Sequence, residues 1–269
     1  MRDTDSNTFI AFLAIIATPF ALGAFLLTWA PSIQYANEDP AADGYVPPRI
    51  IQQLVDRTQE STVTVWCEPT KGKGKQGTAF AIELETSVSK DYPTTLITNH
   101  HVIAPCIGVE NALTIALPNE DPIKAVIVKW DEENDIAVIA TKMELPYLQL
   151  SEYDPYPGYW VMALGSADGY EGSVSFGNVI NSNAAEILIT NNVSSGNSGG
   201  PLVDNEGKVV GVITWAFGEE QYNGAKSLDA FCAKILKCEY DGGKTWWDRG
   251  RRPLVGQWCP RYRAFCCQG

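Results

Sequence analysis

His100 and His101 stand side by side in LITNHHVIAPC (residues 96–106) and are the only histidines in the 269-residue chain. An imidazole titrates near neutrality, so it can accept a proton and later return it. A second stretch, SSGNSGGPLVD (194–204), sets Ser198 in a run of Ser and Gly flanked by ILIT and KVVGVITW. As a bare pattern this is a flexible turn. Held between two strands, it points backbone N–H groups into one small space, which is what a developing oxyanion requires. A serine hydroxyl is a weak nucleophile until a base takes its proton, and the base needs a carboxylate to fix its tautomer. DEENDIAVIA (131–140) offers Asp131, Glu132, Glu133 and Asp135. The first three read as a solvated acidic turn. Asp135 opens the apolar run IAVIA, where its side chain can be drawn inward and held. Either histidine with Asp135 and Ser198 supplies the groups that acyl transfer at a carbonyl demands.

Such groups must be positioned by a rigid scaffold, and the chain between them is a succession of short strands. STVTVWC, GTAFAIEL, TTLIT, ALTIAL, KAVIVKW and DIAVIA are β-branched or aromatic runs separated by Gly, Pro, Asp or Lys clusters. After the Pro-rich connector YDPYPG come YWVMAL, SVSFGNVI, EILIT, KVVGVITWAF and GAKSL. Two groups of about six strands without helical periodicity between them predict an all-β fold of two packed antiparallel six-stranded β-barrels. RIIQQLVDR, before the first group, has the spacing of a short amphipathic helix, and LDAFCAKILKC closes the second group as a short C-terminal helix. The expected organisation is a first barrel over 49–150 and a second over 151–238, with a Cys- and aromatic-rich tail over 239–269. A folded unit of that size buries roughly 70 per cent of its unfolded surface, so it needs no metal or cofactor to fold.

The net charge is −12 and the isoelectric point about 4.6. An acidic body of this kind argues against nucleic acid as a partner, because phosphate contacts need clustered Lys and Arg. The end of the chain is the exception: from Asp241 to Gly269 it carries Lys244, Arg249, Arg251, Arg252, Arg261 and Arg263 against Asp241 and Asp248. Residues 8–30, TFIAFLAIIATPFALGAFLLTWA, are 23 residues without a charge. At about 1.5 Å per residue they span a bilayer core. This segment is expected to be a membrane anchor, or a signal if it is cleaved, with 31–48 as linker. The start MRDTDSN is not strongly basic and Pro31 follows the best cleavage position, which favours an uncleaved anchor and places the bulk of the chain outside the cytoplasm. Seven cysteines (67, 106, 232, 238, 259, 266, 267) agree with an oxidising compartment. None forms a C-x-x-C pair, so no metal site is expected. The preferred disulfide joins Cys67 to Cys106, stapling STVTVWC beside the histidine turn.

Four stretches in order, GTAF (77–80), LITNHHVI (96–103), NDIAVI (134–139) and GNSGGPLV (196–203), together resemble the chymotrypsin-like serine proteases. The likeness is closer to the bacterial envelope proteases of the high-temperature-requirement type. VMALGSADGYEGSVSFGNV (161–179) is similar to that family's segment between aspartate and serine, so the resemblance covers about residues 60–236. It implies that His101, not His100, is the general base, that Asp135 orients it, and that Ser198 is the nucleophile. It further implies an oxyanion hole from the backbone N–H groups of Gly196 and Ser198. Thr214, Trp215 and Ala216 would pair with an extended peptide, and Asn192 would lie at the base of the primary specificity pocket. Two departures stand out. Asn197 occupies the place where digestive relatives carry an aspartate, so activation through an ion pair with a new N-terminus is not expected. About thirty residues follow Cys238, too few for the PDZ domain usual in the envelope enzymes.

The expected function is a serine endopeptidase of the cell envelope that takes polypeptide substrates and works through an acyl-enzyme. The alternative is a catalytically silent, protease-like module that binds peptide, and a third reading is an esterase using the same triad.

Overall fold

The most apolar runs form strands that are buried on both faces, since side chains alternate between faces with period two. β6 (Ile136–Thr141) places Ala137 and Ile139 in one apolar cluster and Ile136 and Val138 in another. β7 (Trp160–Gly165) does the same, with Val161 and Ala163 on one side and Trp160, Met162 and Leu164 on the other. The cause is architectural: one face of each such strand fills a barrel and the other meets a second barrel.

The structure, a computed structural model, describes residues 44–84, 91–151, 154–216 and 222–235, all within one compact unit spanning 39–269. Among the described residues the chain runs α1 (Ile51–Gln59), β1 (Thr62–Thr70), β2 (Lys73–Ala81), β3 (Thr94–Thr98) and α2 (His100–Ile103). A 3₁₀ turn (Ala104–Cys106), β4 (Leu113–Ala116), β5 (Ile123–Asp131), β6 and β7 follow. Then come a second 3₁₀ turn (Ala167–Gly169), β8 (Ser173–Ser182), β9 (Glu186–Ile189), β10 (Pro201–Val203), β11 (Val209–Ala216), β12 (Asn223–Ser227) and α3 (Leu228–Lys234). The strands close two antiparallel barrels of six, in the orders β1-β2-β3-β6-β5-β4 and β10-β11-β12-β9-β8-β7. The expected pair of six-stranded barrels is therefore present.

Three apolar clusters hold this arrangement together. Val63, Val65, Leu96, Ile115 and Ile139 fill the first barrel, and Val161, Ile187, Ile189, Leu202 and Ile213 fill the second. Between them lies a seam of Phe80, Ile82, Ile97, Val138, Met162, Leu164, Val203 and Val212, joined by Leu54 of α1 and Phe231 of α3. Each such side chain contributes about 1.5–3 kcal/mol when fully buried, so the seam is comparable in strength to either barrel interior. The helices act as clasps across it: Arg57 of α1 donates to the Glu206 carbonyl at 2.6 Å in the β10–β11 turn.

Cys67 and Cys106 are disulfide-bonded with their Cα atoms 5.8 Å apart, as the sequence led us to expect. The bond ties β1 to the turn that follows α2. The apolar segment 8–30, the tail 239–269 and the remaining cysteine pairings fall outside the described residues. Among the described residues no helix is long and apolar enough to cross a membrane.

Candidate active site

β3 is wholly buried and ends at Thr98, after which the chain turns into the four-residue helix α2 that carries both histidines. His101 is held at two points by one carboxylate. Its backbone N–H donates to Asp135 Oδ1 at 2.8 Å, and its ring Nδ1 lies 2.7 Å from Asp135 Oδ2. A carboxylate only accepts, so Nδ1 carries the proton and Nε2 is left as the basic nitrogen. The pair is partly open to solvent, with side-chain exposures of 39% for His101 and 22% for Asp135. His100 makes no such contact with Asp135. Of the two histidines, the structure brings His101 to the carboxylate.

Asp135 itself sits in the left-handed region, at φ 54°, just ahead of β6. That conformation has a cost for a residue with a Cβ, and the surroundings impose it. Asp131, at the end of β5, accepts the backbone N–H groups of Glu133 and Asn134 through Oδ1 at 3.2 and 3.4 Å. It also accepts the Asn134 side-chain amide through Oδ2 at 2.6 Å. From the other side Asn99 Nδ2 donates to the Asp135 carbonyl at 2.7 Å. The expectation that Asp131 belongs to a solvated acidic turn is corrected here. Asp131 is 2% exposed, because its carboxylate is the internal staple of the turn and must face the groups it binds.

Ser198 lies in the loop between β9 and β10, in the second barrel. Every carbonyl from residue 194 to 198 accepts a hydrogen bond. Ser194 O takes Asn197 N at 3.1 Å, Ser195 O takes Asp168 N at 2.6 Å, Asn197 O takes Gly200 N at 2.9 Å and Ser198 O takes Thr78 N at 2.8 Å. Gly196 O takes the Thr78 hydroxyl at 2.7 Å. Among the described residues the N–H groups of Gly196 and Ser198 have no acceptor, so the loop presents unsatisfied donors with its carbonyls turned away. Glycine is required at two positions. Gly196 has φ +95° with its Cα face against Ser166 O, and Gly199 has φ +87° against Thr78 O and Thr98 Oγ1; an added Cβ would meet each at 2.2 Å.

The two halves meet through Thr214. The Ser198 hydroxyl donates to the Thr214 carbonyl at 3.2 Å, and Asn99 Nδ2 lies 3.2 Å from Thr214 Oγ1. Asn99 thus touches both the Asp135 and the Ser198 sides of the site. Among the described residues the Ser198 hydroxyl makes no hydrogen bond to the His101 ring. Contacts between nucleophile and base are commonly loose in unliganded sites and tighten with substrate bound. β10 pairs with β11 only as far as Pro201↔Val212, and a bulge between Ile213 and Trp215 leaves Thr214 as the extra residue. Trp215 lies opposite Gly224, where an added Cβ would sit 2.0 Å from the indole. Thr214 is buried, Trp215 half-buried, and Ala216 and Asn192 exposed. Asn223 of β12, the register partner of Ala216, donates to Asn191 O at 2.7 Å, and Asn192 is the next residue.

Sequence reasoning missed Thr78, Asn99 and Asp131. Asn99 and Thr78 lay inside stretches already singled out, TNHH and GTAF, but their partners are in the other barrel or on a distant strand.

Comparison with known proteins agrees with this fold. A family model described as a trypsin-like peptidase domain matches residues 77–212, 136 of the 269 residues. The chain belongs to the trypsin-like peptidase family. A probable periplasmic serine endoprotease DegP-like of Pseudomonas fulva is 30% identical over 156 residues, covering 54% of this chain and 31% of that protein. Its counterpart in Hahella chejuensis is 35% identical over 135 residues, covering 46% and 28%. The chain thus spans under a third of the length of these curated relatives. Two solved structures share the fold. A serine endoprotease from Yersinia pestis has a TM-score of 0.58 at 24% identity, covering 71% of this chain and 66% of that one. The active form of the Rv3671c protease from M. tuberculosis has a TM-score of 0.57 at 22% identity, covering 78% and 90%.

Proposed function

We propose that this chain is a serine endopeptidase acting on extended polypeptide outside the cytoplasm. The observation that carries the reading is the two-point grip of Asp135 on His101, which fixes the tautomer a general base needs. Ser198 Oγ attacks the scissile carbonyl carbon while its proton passes to His101 Nε2. The carbonyl oxygen, now negative, is received by the N–H groups of Gly196 and Ser198. Collapse of the adduct breaks the C–N bond as Nε2–H protonates the leaving amine, giving an acyl-enzyme. Water, deprotonated by the same Nε2, then releases the acid and restores Ser198. Thr214, Trp215 and Ala216 carry the substrate backbone along the β11 edge, supported by the contact between Ser198 and Thr214. Asn192, uncharged, suits small or apolar side chains better than Lys or Arg.

The catalytic unit is assigned to 49–238, with 1–30 as anchor or signal, 31–48 as linker and 239–269 as a tail. The apolar run 8–30 and the periplasmic designation of the relatives support an envelope location, anchored or secreted. Fluorophosphonate labelling of oxidised protein tests the assignment: a covalent adduct on Ser198 is expected, and loss of the adduct in Ser198→Ala. No adduct on the folded wild-type chain would count against catalysis.

One observation favours a second reading, a catalytically silent peptide-binding module: the Ser198 hydroxyl bonds Thr214 O and not the imidazole. That reading requires peptide binding without turnover, unchanged in Ser198→Ala.

A further inference from the structure

Thr78 is a fully buried residue of β2, in the first barrel, yet most of its polar atoms serve the second. Its backbone N–H donates to Ser198 O at 2.8 Å. Its hydroxyl donates to Gly196 O at 2.7 Å and accepts the backbone N–H of Ser166 at 3.1 Å. Its own carbonyl accepts the Thr98 hydroxyl at 2.7 Å, from the strand that leads into the histidine helix.

A hydroxyl has one proton to give. The Ser166 amide can only donate, so it takes a lone pair on the Thr78 oxygen and leaves the proton no competing use. The proton is therefore committed to Gly196 O. That carbonyl belongs to the peptide between Gly196 and Asn197, the link between the two units that carry the unsatisfied N–H groups of Gly196 and Ser198. Glycine at 196 cannot hold this orientation by itself, since a residue without Cβ rotates freely. The restraint has to come from outside the loop. Ser166 supplies a second contact, its carbonyl lying against the Cα face of Gly196. Ser166 is in turn fixed by its hydroxyl, 2.5 Å from Thr64 Oγ1.

We propose that Thr78 is a positioning residue: its hydroxyl, polarised by the Ser166 amide, locks the Gly196–Asn197 peptide so that both oxyanion donors face the substrate carbonyl. It touches no reacting atom. This rests on the assignment of Gly196 and Ser198 as the oxyanion hole.

The test compares Thr78→Val, which keeps the shape and removes the hydroxyl, with Thr78→Ser, which restores it. Thr78→Ala leaves room for a bridging water and serves if the valine variant does not fold. Each is assayed on a chromogenic peptide well below its own unfolding temperature. For Thr78→Val, and to a smaller degree Thr78→Ala, kcat falls at least about tenfold with KM within about twofold. Removing an oxyanion donor outright costs about 10²–10³, which sets the ceiling. Affinity for a peptide boronate, which mimics the tetrahedral adduct, falls in proportion to kcat, and affinity for the product peptide does not change. The pH midpoint of kcat stays where it is, because the imidazole is untouched. Thr78→Ser recovers kcat to within about threefold. Wild-type kcat in the folded valine or alanine variant overturns the proposal, as does equal loss of boronate and product binding, or failure of serine to rescue. A wild-type chain that neither cleaves peptide nor takes a fluorophosphonate instead removes the assignment of function on which the proposal rests.

Discussion

His101 and Asp135 meet twice, once through the ring at 2.7 Å and once through the backbone at 2.8 Å. The double contact separates two jobs. The backbone bond sets where the carboxylate lies relative to the helix, and the ring bond sets which nitrogen is basic. Asp135→Asn keeps the first only in part and reverses the second, since a carboxamide NH₂ facing Nδ1 forces the proton to Nε2. On the proposed assignment kcat falls by about 10³–10⁴ with KM little changed, as measured by steady-state peptide hydrolysis.

Asp131 shapes the turn from which Asp135 projects. Asp131→Ala removes the buried acceptor of two backbone N–H groups and of the Asn134 amide, and because those donors are only partly buried the cost is about 1 kcal/mol. It also releases the left-handed conformation at Asp135. Urea denaturation should register the stability loss, and kcat should drop while KM holds. An unchanged kcat would mean that the Asn99 tether alone keeps Asp135 in place.

The carboxyl of Asp204, in the β10–β11 turn, is pushed up to about 6 by burial, against a usual value of 3.8. Hydrogen bonds from the backbone N–H groups of Lys208 and Glu206, and the charge of Lys208, pull the other way, while the charge of Glu206 adds to the rise. The native state therefore holds this proton more tightly than the unfolded chain does. Its contribution to stability is fully present below about pH 4 and is lost as pH rises through about 6. Asp204→Asn keeps an oxygen for both N–H groups and removes the charge. It should flatten the pH dependence of the urea midpoint over that interval and raise stability at neutral pH.

Cys67 and Cys106 close a loop with a sequence separation of 39. Such a link restricts the unfolded chain by up to about 4 kcal/mol. Replacing both by Ala should lower the unfolding temperature in oxidising buffer, and a reductant should have no effect on that variant through this bond. The half-cystines are buried, so reduction of the wild type should track unfolding.

Much of the architecture was legible because strands announce themselves locally. TTLIT is β3 residue for residue, YWVMAL is β7 displaced by one residue toward the N-terminus, and EILIT overruns β9 by one. β10 escaped because it is three residues long, starts at Pro201 and lies inside the motif that drew attention for its chemistry. β2 begins four residues before GTAFAIEL, in the charged hairpin arm KGKQ, where pairing with β1 overrides composition. The site was legible as residue types in order. It was not legible as a network, because the Asn99 contact with Thr214 spans 115 positions and that of Thr78 with Gly196 spans 118. Asp131 misled for the opposite reason: an acid among acids looks solvated until its three internal donors are known.

The seam between the barrels also has a meaning in time. His101 and Asp135 belong to the first barrel, and Ser198 and its N–H donors to the second. On the proposed assignment, a chain emerging from the ribosome completes its base and orienting carboxylate long before it owns a nucleophile. Two of the restraints on the 194–198 loop, those on the Gly196 and Ser198 carbonyls, come from Thr78 and are complete only when the two barrels dock. Half-made molecules are thus harmless to their neighbours, and hydrolytic power arises at the last folding step, not gradually along the way.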